Sequence, residues 1–510
     1  MDITPFRIGK ASDIVSSRER ILYRFFEIIP GFISWLTLLL IILLSFKVPI
    51  LVAIFIITFD FYWLARTLYF SFYLRSGFKR MNKHERINWL KLLETTKSKN
   101  WHDIYHLIIF SVYKEPLEII EESFKALENT DYPKNKIIVV LAYEERNKTE
   151  AKIIAETIER KFRKSFFKFL TTWHPKGLPG EIAGKGSNLT WAAKKTKEKI
   201  IDPLTIPYKN IIFSSFDADT SVSPKYFSCL TWHYLNLKNN KASFQPIPLY
   251  INNIWQAPLI SRVFSFSSTF WHTMNQERPE KLVTFSSHSM SFQVLVDVGF
   301  CQTNIVSDDS RIFWQAYLKY NGDYKTLPIF YPVSMDANVS RSFFRTMTNI
   351  YKQQKRWAYG VGEIPFLMFC FLKNKKISLK EKFFKLINLF ESHWSWATNS
   401  LIIFLGGWLP LILGRGKFSQ TLLSYNLPIL TSRILTIAMI GIVGSIYFGM
   451  LLLPPKPPKY GKSKYLIFVI EWLLIPIIMI FFTSLPSLDA QTRLMLGKYM
   501  GFYPTEKFRK

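Results

Sequence analysis

The stretch "NIIFSSFDADTSVSP", residues 210–224, joins an apolar run to two aspartates that a single residue separates. Its apolar part has the β-branched and aromatic content of a buried strand. Because residues i and i+2 of a strand point to the same side, the carboxylates of Asp217 and Asp219 can converge on one cation. Ligation by oxygen alone suits Mg²⁺ or Mn²⁺. Turns also use aspartate freely, so the stretch predicts a metal site only together with its neighbours along the chain.

Strand patterns and helix patterns alternate before residue 210. The strand patterns are "HLIIFSVY", "KIIVVLAY" and "FFKFLTTW", and "PLEIIEESFKALENT" lies between the first two. Apolar residues recur at helical spacing in that last segment, which predicts a helix with one buried face. The alternation is typical of an α/β domain with a parallel, Rossmann-like sheet covered by helices. Ligands of such sheets bind beyond the carboxyl ends of the strands, where Asp217 and Asp219 lie.

A glycine-bearing loop, "GLPGEIAGKGSNLTWAAKK", leads into another predicted helix. Free backbone amides at the helix start, together with Lys185, would hold phosphate oxygens. This is not a Walker A loop, because the glycine five residues before Gly184 is missing and Gly186 stands where Ser or Thr should be. A flexible linker is the alternative interpretation.

Two adjacent aspartates characterise the next motif, "VSDDSRIFWQAYLKY". Ser307 is placed to cap a helix that has Asp308 and Asp309 in its first turn. Acids at this position interact favourably with the helix dipole whatever their function. The same dipole keeps a carboxylate ionised, so that it is able to take a proton from an acceptor hydroxyl.

The motif "RTMTNIYKQQKRWAYG" places Gln353, Arg356 and Trp357 on one helix face, because their spacing is i, i+3 and i+4. Trp offers a flat platform for a sugar ring, Gln offers hydrogen bonds, and Arg neutralises a diphosphate leaving group. The alternative is a basic interfacial helix whose Arg and Lys side chains reach toward the membrane surface. Both interpretations hold if a helix at the membrane carries the site.

Five apolar stretches approach or exceed the roughly 18 to 20 residues that a helix needs to cross a bilayer. They are 28–46, 49–65, 392–414, 434–455 and 465–488. Asp60 interrupts the second stretch and Glu471 the fifth, and an acid within a membrane span is a candidate for function. The alternative is that both acids lie near a helix end or face a neighbouring helix.

Basic residues precede the first span and follow the second, so both flanks of this hairpin are predicted to be cytoplasmic. The predicted divisions are a cytoplasmic segment 1–24, a transmembrane hairpin 25–74, a cytoplasmic domain 75–391 with interfacial helices near 341–372, transmembrane helices in 392–488 and a basic tail 489–510. The plasma membrane is the predicted location. A fifth crossing would place the basic tail outside, so the last stretch is either re-entrant or an exception to the positive-inside rule.

The formal net charge is +29, but the basic residues are dispersed and no nucleic-acid-binding motif accompanies them. The predicted partners are therefore anionic membrane lipids and a phosphate-bearing substrate, and not a nucleic acid. Cys229, Cys301 and Cys370 form no C-x-x-C pair, so the sequence supports neither a disulfide framework nor a zinc ribbon.

Taken in order, these motifs resemble the membrane-embedded, processive branch of family 2 glycosyltransferases, which contains cellulose, hyaluronan and chitin synthases. "DAD" at 217–219 matches the family's Asp-x-Asp, "SDD" at 307–309 stands in place of T-E-D, and "QQKRW" at 353–357 matches Q-x-x-R-W. The resemblance covers most of the chain, from the first membrane hairpin to the last span.

The resemblance implies a GT-A-type cytoplasmic domain that inverts the anomeric carbon of a nucleotide-diphosphate sugar in a single displacement. It also implies Mg²⁺ or Mn²⁺ as the cofactor and a growing glycan or a lipid-linked molecule as the acceptor. The implied roles are metal ligation by Asp217 and Asp219, base catalysis by Asp309 with Asp308 beside it, donor binding by Tyr113, Glu115, Glu144, Lys185, Asp217 and Arg356, and acceptor binding by Gln353, Trp357 and His288.

The chain also departs from the family pattern. Ser111 and Lys114 differ from P-x-Y-N-E, and Glu144 and Glu145 replace aspartates after the second strand, so the nucleobase stays open. "FSSHS" replaces the F-F-C-G-S of cellulose synthases, which puts cellulose in doubt as the product. His288 within it either faces the acceptor or is a structural histidine.

Three functional hypotheses follow from these observations. The first is a transferase that polymerises a glycan and passes it through its own membrane helices. The second is transfer of one sugar to a lipid or lipid-linked acceptor, which stays open because five predicted spans are few for a roomy pore. The third is a catalytically silent membrane scaffold, and retention of all three motifs argues against it.

Overall fold

The structure is a computed structural model that describes residues 7–95, 100–414 and 416–509, apart from the side chain of Lys417. Within these residues, a mixed eight-stranded sheet forms the centre of an α/β domain. Long apolar helices precede the sheet along the chain and follow it. The chain is therefore a membrane protein whose α/β domain lies between two groups of apolar helices.

The sheet joins a parallel half to a half that contains antiparallel pairs. The strands are β1 Tyr105–Val112, β2 Ile137–Glu144, β3 Lys168–His174, β4 Ile211–Asp217, β5 Ser221–Val222, β6 Ala242–Leu249, β7 Ser289–Ser291 and β8 Lys325–Ser334. Their order is β3-β2-β1-β4-β7-β6-β8-β5. β1 pairs in parallel with β2 and β4, and β2 with β3, as the alternating sequence pattern predicts. β7 runs antiparallel to β4 and β6, a pairing that its three residues are too few to signal.

The helices cover both faces of the sheet and form the membrane part. They are α1 Ser17–Lys47, α2 Pro49–Arg86, α3 Trp89–Thr95, α4 Leu117–Glu128, α5 Lys148–Phe162, α6 Lys185–Thr196, α7 Tyr226–Leu235, α8 Leu259–Gln276, α9 Phe292–Asp297, α10 Asp308–Lys319, α11 Phe343–Ala358, α12 Glu363–Lys373, α13 Leu379–Phe404, α14 Leu409–Leu413, α15 Leu422–Ala438, α16 Ile440–Leu452, α17 Ser463–Ile470, α18 Ile475–Met479 and α19 Leu485–Met495.

The inner parallel strands β1, β2 and β4 are buried on both faces, which explains their continuous apolar sequences, whereas the edge strand β3 is only partly buried. Ile108 and Phe110 of β1 point into a core shared with α4, α5 and α7, whereas Leu107 and Ile109 point into a core shared with α6, α10 and α12. Burial of each such side chain stabilises the fold by roughly 1.5–3 kcal/mol. With both faces filled by apolar side chains, polar groups gather at the carboxyl ends of the strands.

Four helical segments are long and apolar enough to cross a membrane: Ser17–Lys47, Pro49–Arg86, Leu422–Leu452 and Ser463–Met495. A further pair, Leu379–Phe404 and Gly406–Leu413, passes the same test together but is bent by 46°. The acids within these segments have partners. The hydroxyl of Thr431 donates to Asp60 at 2.8 Å, and Arg262 forms a buried ion pair with Glu471. Both acids therefore face neighbouring helices.

Residues at both ends of Ser463–Met495 contact the α/β domain. Before its first residue, the indole of Trp255 donates to Pro454 O at 3.1 Å and stacks on Tyr460. Near its last residue, Asp489 pairs with Lys355 of α11 at 3.0 Å. The segment thus leaves the α/β domain and returns to it.

Candidate active site

The two aspartates of the opening stretch lie at the carboxyl end of β4, beside the end of β1. Asp217 is the last residue of β4, and its Oδ2 accepts a hydrogen bond from Ser286 at 2.8 Å. Asp219 is buried, and its Oδ2 accepts from the backbone amide of Asp336 at 3.0 Å. Burial raises the pKa of Asp219, and the nearby carboxylates of Asp336 and Asp217 raise it further. The site therefore concentrates negative charge that requires a cation.

Lys185 connects the two acidic motifs. It is the first residue of α6, and its Nζ lies 2.8 Å from Asp217 Oδ1 and 3.0 Å from Asp309 Oδ1. Burial alone would lower the pKa of Lys185, but the carboxylates of Asp217, Asp309 and Asp308 outweigh it and raise the pKa. The same ammonium group holds the pKa of Asp217 below its ordinary value despite burial. The start of α6, directly after the glycine-bearing loop, is thus part of the acidic site.

Asp308 and Asp309 begin α10 but have different surroundings. The side chain of Asp309 is 26% exposed, whereas Asp308 is buried and its Oδ2 has no hydrogen-bond partner among the described residues. Burial, with a contribution from Asp309, raises the pKa of Asp308 to about 7. Of the two acids, Asp309 is therefore the one that a substrate hydroxyl can reach.

The start of α10 is positioned by contacts that the sequence did not reveal. Ser307 occupies the N-cap position, but its hydroxyl donates to Glu363 at 2.9 Å and does not cap the helix. Glu363 also accepts from the buried Arg311 at 2.6 Å. A Cβ on Gly186 would lie 2.8 Å from the Cβ of Asp308, so the absence of a side chain there allows α6 and α10 to begin side by side.

The third motif lies on α11, close to the acids. Burial lowers the pKa of Arg356. The nearby carboxylates of Asp217, Asp308 and Asp309 partly offset this effect. The ring of Trp357 lies 6.5 Å from that of Tyr250, and Gln353 Oε1 accepts from the amide of Asn338 at 3.3 Å. Arg356 thus belongs to the charged cluster, while Trp357 belongs to an aromatic wall beside it.

His288 lies on the β7 side of the same cluster. Its Nδ1 is 3.0 Å from Phe285 O and 3.7 Å from Asp309 Oδ1. Burial lowers the pKa of His288, so the ring is neutral at physiological pH. Since a carbonyl oxygen only accepts, Nδ1 carries the proton. Its Nε2 is buried and has no hydrogen-bond partner in the described part of the chain.

The three predicted nucleobase-side residues lie at the ends of β1 and β2. Glu115 accepts from the backbone amide of Tyr113 at 2.7 Å, which closes the turn after β1. Arg146 lies over the Tyr113 ring at 4.1 Å and pairs with Glu144 at 2.6 Å. Glu144 is therefore engaged by Arg146, and it orients the guanidinium that covers Tyr113.

Sequence reasoning missed the contribution of residues 499–509, which we call the cleft segment. Lys507 forms an ion pair with Asp219, and Arg509 pairs with Asp336 at 2.6 Å. Phe502 lies 4.6 Å below the Arg356 guanidinium. The cleft segment was predicted only as part of a basic tail. Its alternation of aromatic and basic residues is the one sequence signal that it carries.

The oxygen ligands around Asp219 fit a divalent cation. The carboxylates of Asp217, Asp219 and Asp336 supply oxygen atoms only, which is the ligand chemistry of Mg²⁺ and Mn²⁺. In this structure the Lys507 ammonium provides the positive charge there. Burial would lower the pKa of Lys507, yet Asp219, Asp217 and Glu115 together raise it. The site thus holds a cation of its own chain where a metal ion would bind.

The sequence matches the model of the family described as "Glycosyl transferase family group 2" over residues 212–483, which is more than half of the chain. No curated protein sequence matches the chain. The family match covers the segment from β4 to the last apolar helices, including all three acidic and basic motifs.

Solved structures give low-scoring similarities. The mannosyltransferase PcManGT from Pyrobaculum calidifontis, in complex with GDP-Man and Mn²⁺, is 12% identical and has a TM-score of 0.38, with 76% of this chain and 99% of that chain covered. TarS 1-349 from S. aureus, in complex with UDP-GlcNAc, is 10% identical with a TM-score of 0.36, covering 78% and 91%. GalNAc-T7 with UDP, GalNAc and Mn²⁺ is 9% identical with a TM-score of 0.34, covering 57% and 58%. Family membership therefore rests on the sequence match.

Proposed function

The chain belongs to glycosyl transferase family group 2, and we propose that its GT-A domain transfers a sugar from a nucleotide-diphosphate donor to a hydroxyl acceptor with inversion. One observation carries this proposal: Lys185 bridges Asp217 and Asp309, the acids assigned to the two ends of the reaction. The bridge brings the acid proposed for the metal and diphosphate and the acid proposed as the base within reach of one ammonium group. Close approach of these two groups supports a single displacement, in which the acceptor loses its proton as the diphosphate departs.

Asp309 is the proposed general base. It is partly exposed, and the ammonium group of Lys185 lies 3.0 Å from its Oδ1. The acceptor hydroxyl attacks the anomeric carbon, its proton passes to Asp309, and the bond from that carbon to the diphosphate oxygen breaks with its electron pair on the leaving group. Lys185 and Arg356 then offset the charge that builds on the diphosphate. The neutral His288 lies beside Asp309 and is proposed to position the acceptor.

Asp217 and Asp219 are the proposed ligands of Mg²⁺ or Mn²⁺, with Asp336 adjacent. Such an ion would supply charge neutralisation for the donor diphosphate. Tyr113, with Arg146 over its ring and Glu144 fixing that guanidinium, is proposed to receive the nucleobase. Glu115 holds the turn that presents Tyr113.

We favour an acceptor that is a growing glycan, as in the cellulose, hyaluronan and chitin synthase branch. The supporting observation is the aromatic wall beside the acids, where Trp357 packs near Tyr250 and 6.1 Å from Phe264 of α8. An aromatic face can bind any sugar ring of a growing glycan, which suits repeated addition of sugar units. The wall also borders the apolar helices, so that a lipid-linked acceptor is the second candidate.

The deciding experiment measures sugar incorporation by purified protein in proteoliposomes. A panel of labelled UDP- and GDP-sugars is supplied with Mn²⁺ or Mg²⁺, and the product is sized and extracted. A long, glycosidase-sensitive chain from one donor supports the synthase. A single sugar that partitions with lipid supports the lipid-linked acceptor. Absence of transfer and of donor hydrolysis with every donor and metal would contradict the proposal.

We also propose the arrangement in the membrane. The α/β domain, 75–391, is cytoplasmic at the plasma membrane, because its basic flanks suit the cytoplasmic face. The hairpin, the bent pair and Leu422–Leu452 cross the bilayer, whereas Ser463–Met495 begins and ends on the cytoplasmic side. This removes the conflict over the basic residues after position 488. Reporter fusions at position 459 and after position 509 should both report the cytoplasmic side, and opposite readings would refute the arrangement.

A further inference from the structure

A second cluster of metal-type ligands lies apart from the acids. One ligand atom each of His84, Cys229 and His233 lies within 4.8 Å of the other two. Cys229 and His233 share one face of α7, because they are four residues apart, and His84 lies near the end of α2. The cluster therefore joins the helix that leaves the membrane to a helix of the α/β domain.

The two imidazoles are prepared for coordination. His84 Nδ1 lies 2.9 Å from Ile329 O, and since a carbonyl only accepts, Nδ1 carries the proton and Nε2 keeps its lone pair. A histidine ligand commonly donates its second N–H to such a carbonyl. His233 Nε2 is fully buried and has no hydrogen-bond partner in the part of the chain that the structure describes.

The surroundings are apolar and aromatic. The His84 ring lies 5.3 Å from Trp89 and 5.6 Å from Phe330, and the His233 ring lies 5.6 Å from Trp89. Cys229 is buried in the same core. His84 and His233 are each half-buried, so water can reach the cluster and fill a fourth coordination position, whereas the buried Nε2 of His233 without a partner is costly. Coordination would satisfy that atom.

We propose that His84, Cys229 and His233 form a structural site for a transition-metal ion of the zinc class. Imidazole and thiolate suit Zn²⁺, whereas the oxygen-only cluster at Asp217 and Asp219 suits Mg²⁺ or Mn²⁺. On binding, the Cys229 thiol loses its proton to solvent and its sulfur bonds to the ion. A tetrahedral zinc site separates its ligand atoms by roughly 3.3–3.8 Å, so ligand atoms that lie within 4.8 Å of one another would approach by at most about 1.5 Å.

The consequence is a clamp between α2 and α7. His84 lies beyond the apolar part of α2, so the ion would fix the angle at which the membrane hairpin meets the glycosyltransferase domain. The proposed metal site is independent of the proposed sugar transfer. Within the described part of the chain, none of its three residues contacts the acidic cluster.

The test uses the full-length protein in detergent, treated with a chelator and titrated with Co²⁺ as a spectroscopic probe. Wild type should bind about one ion per chain and show a thiolate-to-cobalt charge-transfer band. Cys229→Ser should lose the band, and the matched variant Cys301→Ser, which removes another buried thiol, should keep it. Zn²⁺ should raise the Tm of wild type and of Cys301→Ser but not that of His233→Gln.

Two results would overturn the site. One is the absence of a charge-transfer band in wild type at stoichiometric Co²⁺, which needs no variant. The other is a band that persists in His233→Gln or in Cys229→Ser. Because Mg²⁺ and Mn²⁺ ligands at the acids contain no sulfur, the donor-site metal cannot produce the band.

Discussion

Exchange of Asp309 for asparagine keeps the shape of the side chain and removes the proposed base. A positioned general base contributes about 10²–10⁴-fold, so kcat should fall by about that factor. The donor KM should change little, because Lys185 keeps its contact with Asp217 at 2.8 Å. The loss should therefore appear in kcat and not in binding.

Asp308→Asn is the matched control, since it makes the same chemical change one residue away. Asp308 is buried, and its pKa of about 7 means that roughly half of the molecules already carry it protonated near pH 7. A neutral asparagine of the same size then changes the charge by about half a unit, and kcat should fall less than about tenfold. The contrast between the two variants follows from burial.

The assay is sugar incorporation in proteoliposomes at saturating donor, with thermal unfolding to show that both variants fold. Asp309→Asn that keeps more than about a tenth of the wild-type kcat would refute the assignment of the base. Equal losses in the two variants would show that the acids act as one charged unit. In that case the difference in exposure between Asp308 and Asp309 would have no catalytic meaning.

Three further predictions concern charge. Lys507→Gln removes the ammonium group that competes with a metal ion for Asp219. Mn²⁺ should then bind about ten- to a hundredfold more tightly, because a charged hydrogen bond contributes about 1.5–3 kcal/mol. Calorimetry measures this affinity, and an unchanged value would contradict the competition. Glu471→Gln leaves Arg262 as an uncompensated buried charge and should lower the free energy of unfolding by about 3–5 kcal/mol, and an Arg262→Met, Glu471→Met double variant should recover much of it. Because its folded-state pKa lies above the usual 3.8, Asp308 costs the folded state stability as the pH rises from about 4 to 7. The Tm gain of Asp308→Asn over wild type should therefore be larger near pH 8 than near pH 5, and the opposite order would refute the raised pKa.

The parallel strands and the aspartates at their end followed from local sequence. β1, β2 and β4 are continuous apolar runs, with helical patterns between them along the chain, and such runs bury both faces where they pair within a sheet. The end of the apolar run also located Asp217 at the end of β4, whereas Asp219 lies in the turn after the strand, outside the alternation that the sequence pattern assumed. The motif resemblance then assigned the transferase family, which the sequence match over residues 212–483 supports.

The antiparallel strands could not be predicted in the same way. β7 has three residues, 289–291, and it pairs with β4 and β6 through a register that only the packed sheet defines. His288 precedes this strand, so its distance from Asp309 could not be predicted from the sequence either. A short strand carries too few side chains for a periodic signal.

Sequence by itself determined the residue types that the three motifs bring to the site, because strand periodicity, helix spacing and hydropathy are local properties. Only the tertiary structure decided how their charges are balanced. It placed Lys185 between two acidic motifs, Lys507 against Asp219, and Arg262 against Glu471. These pairs join residues from distant parts of the chain, and a buried charge is stable only beside its partner. The path of the chain, which no local pattern encodes, therefore selects the pairs.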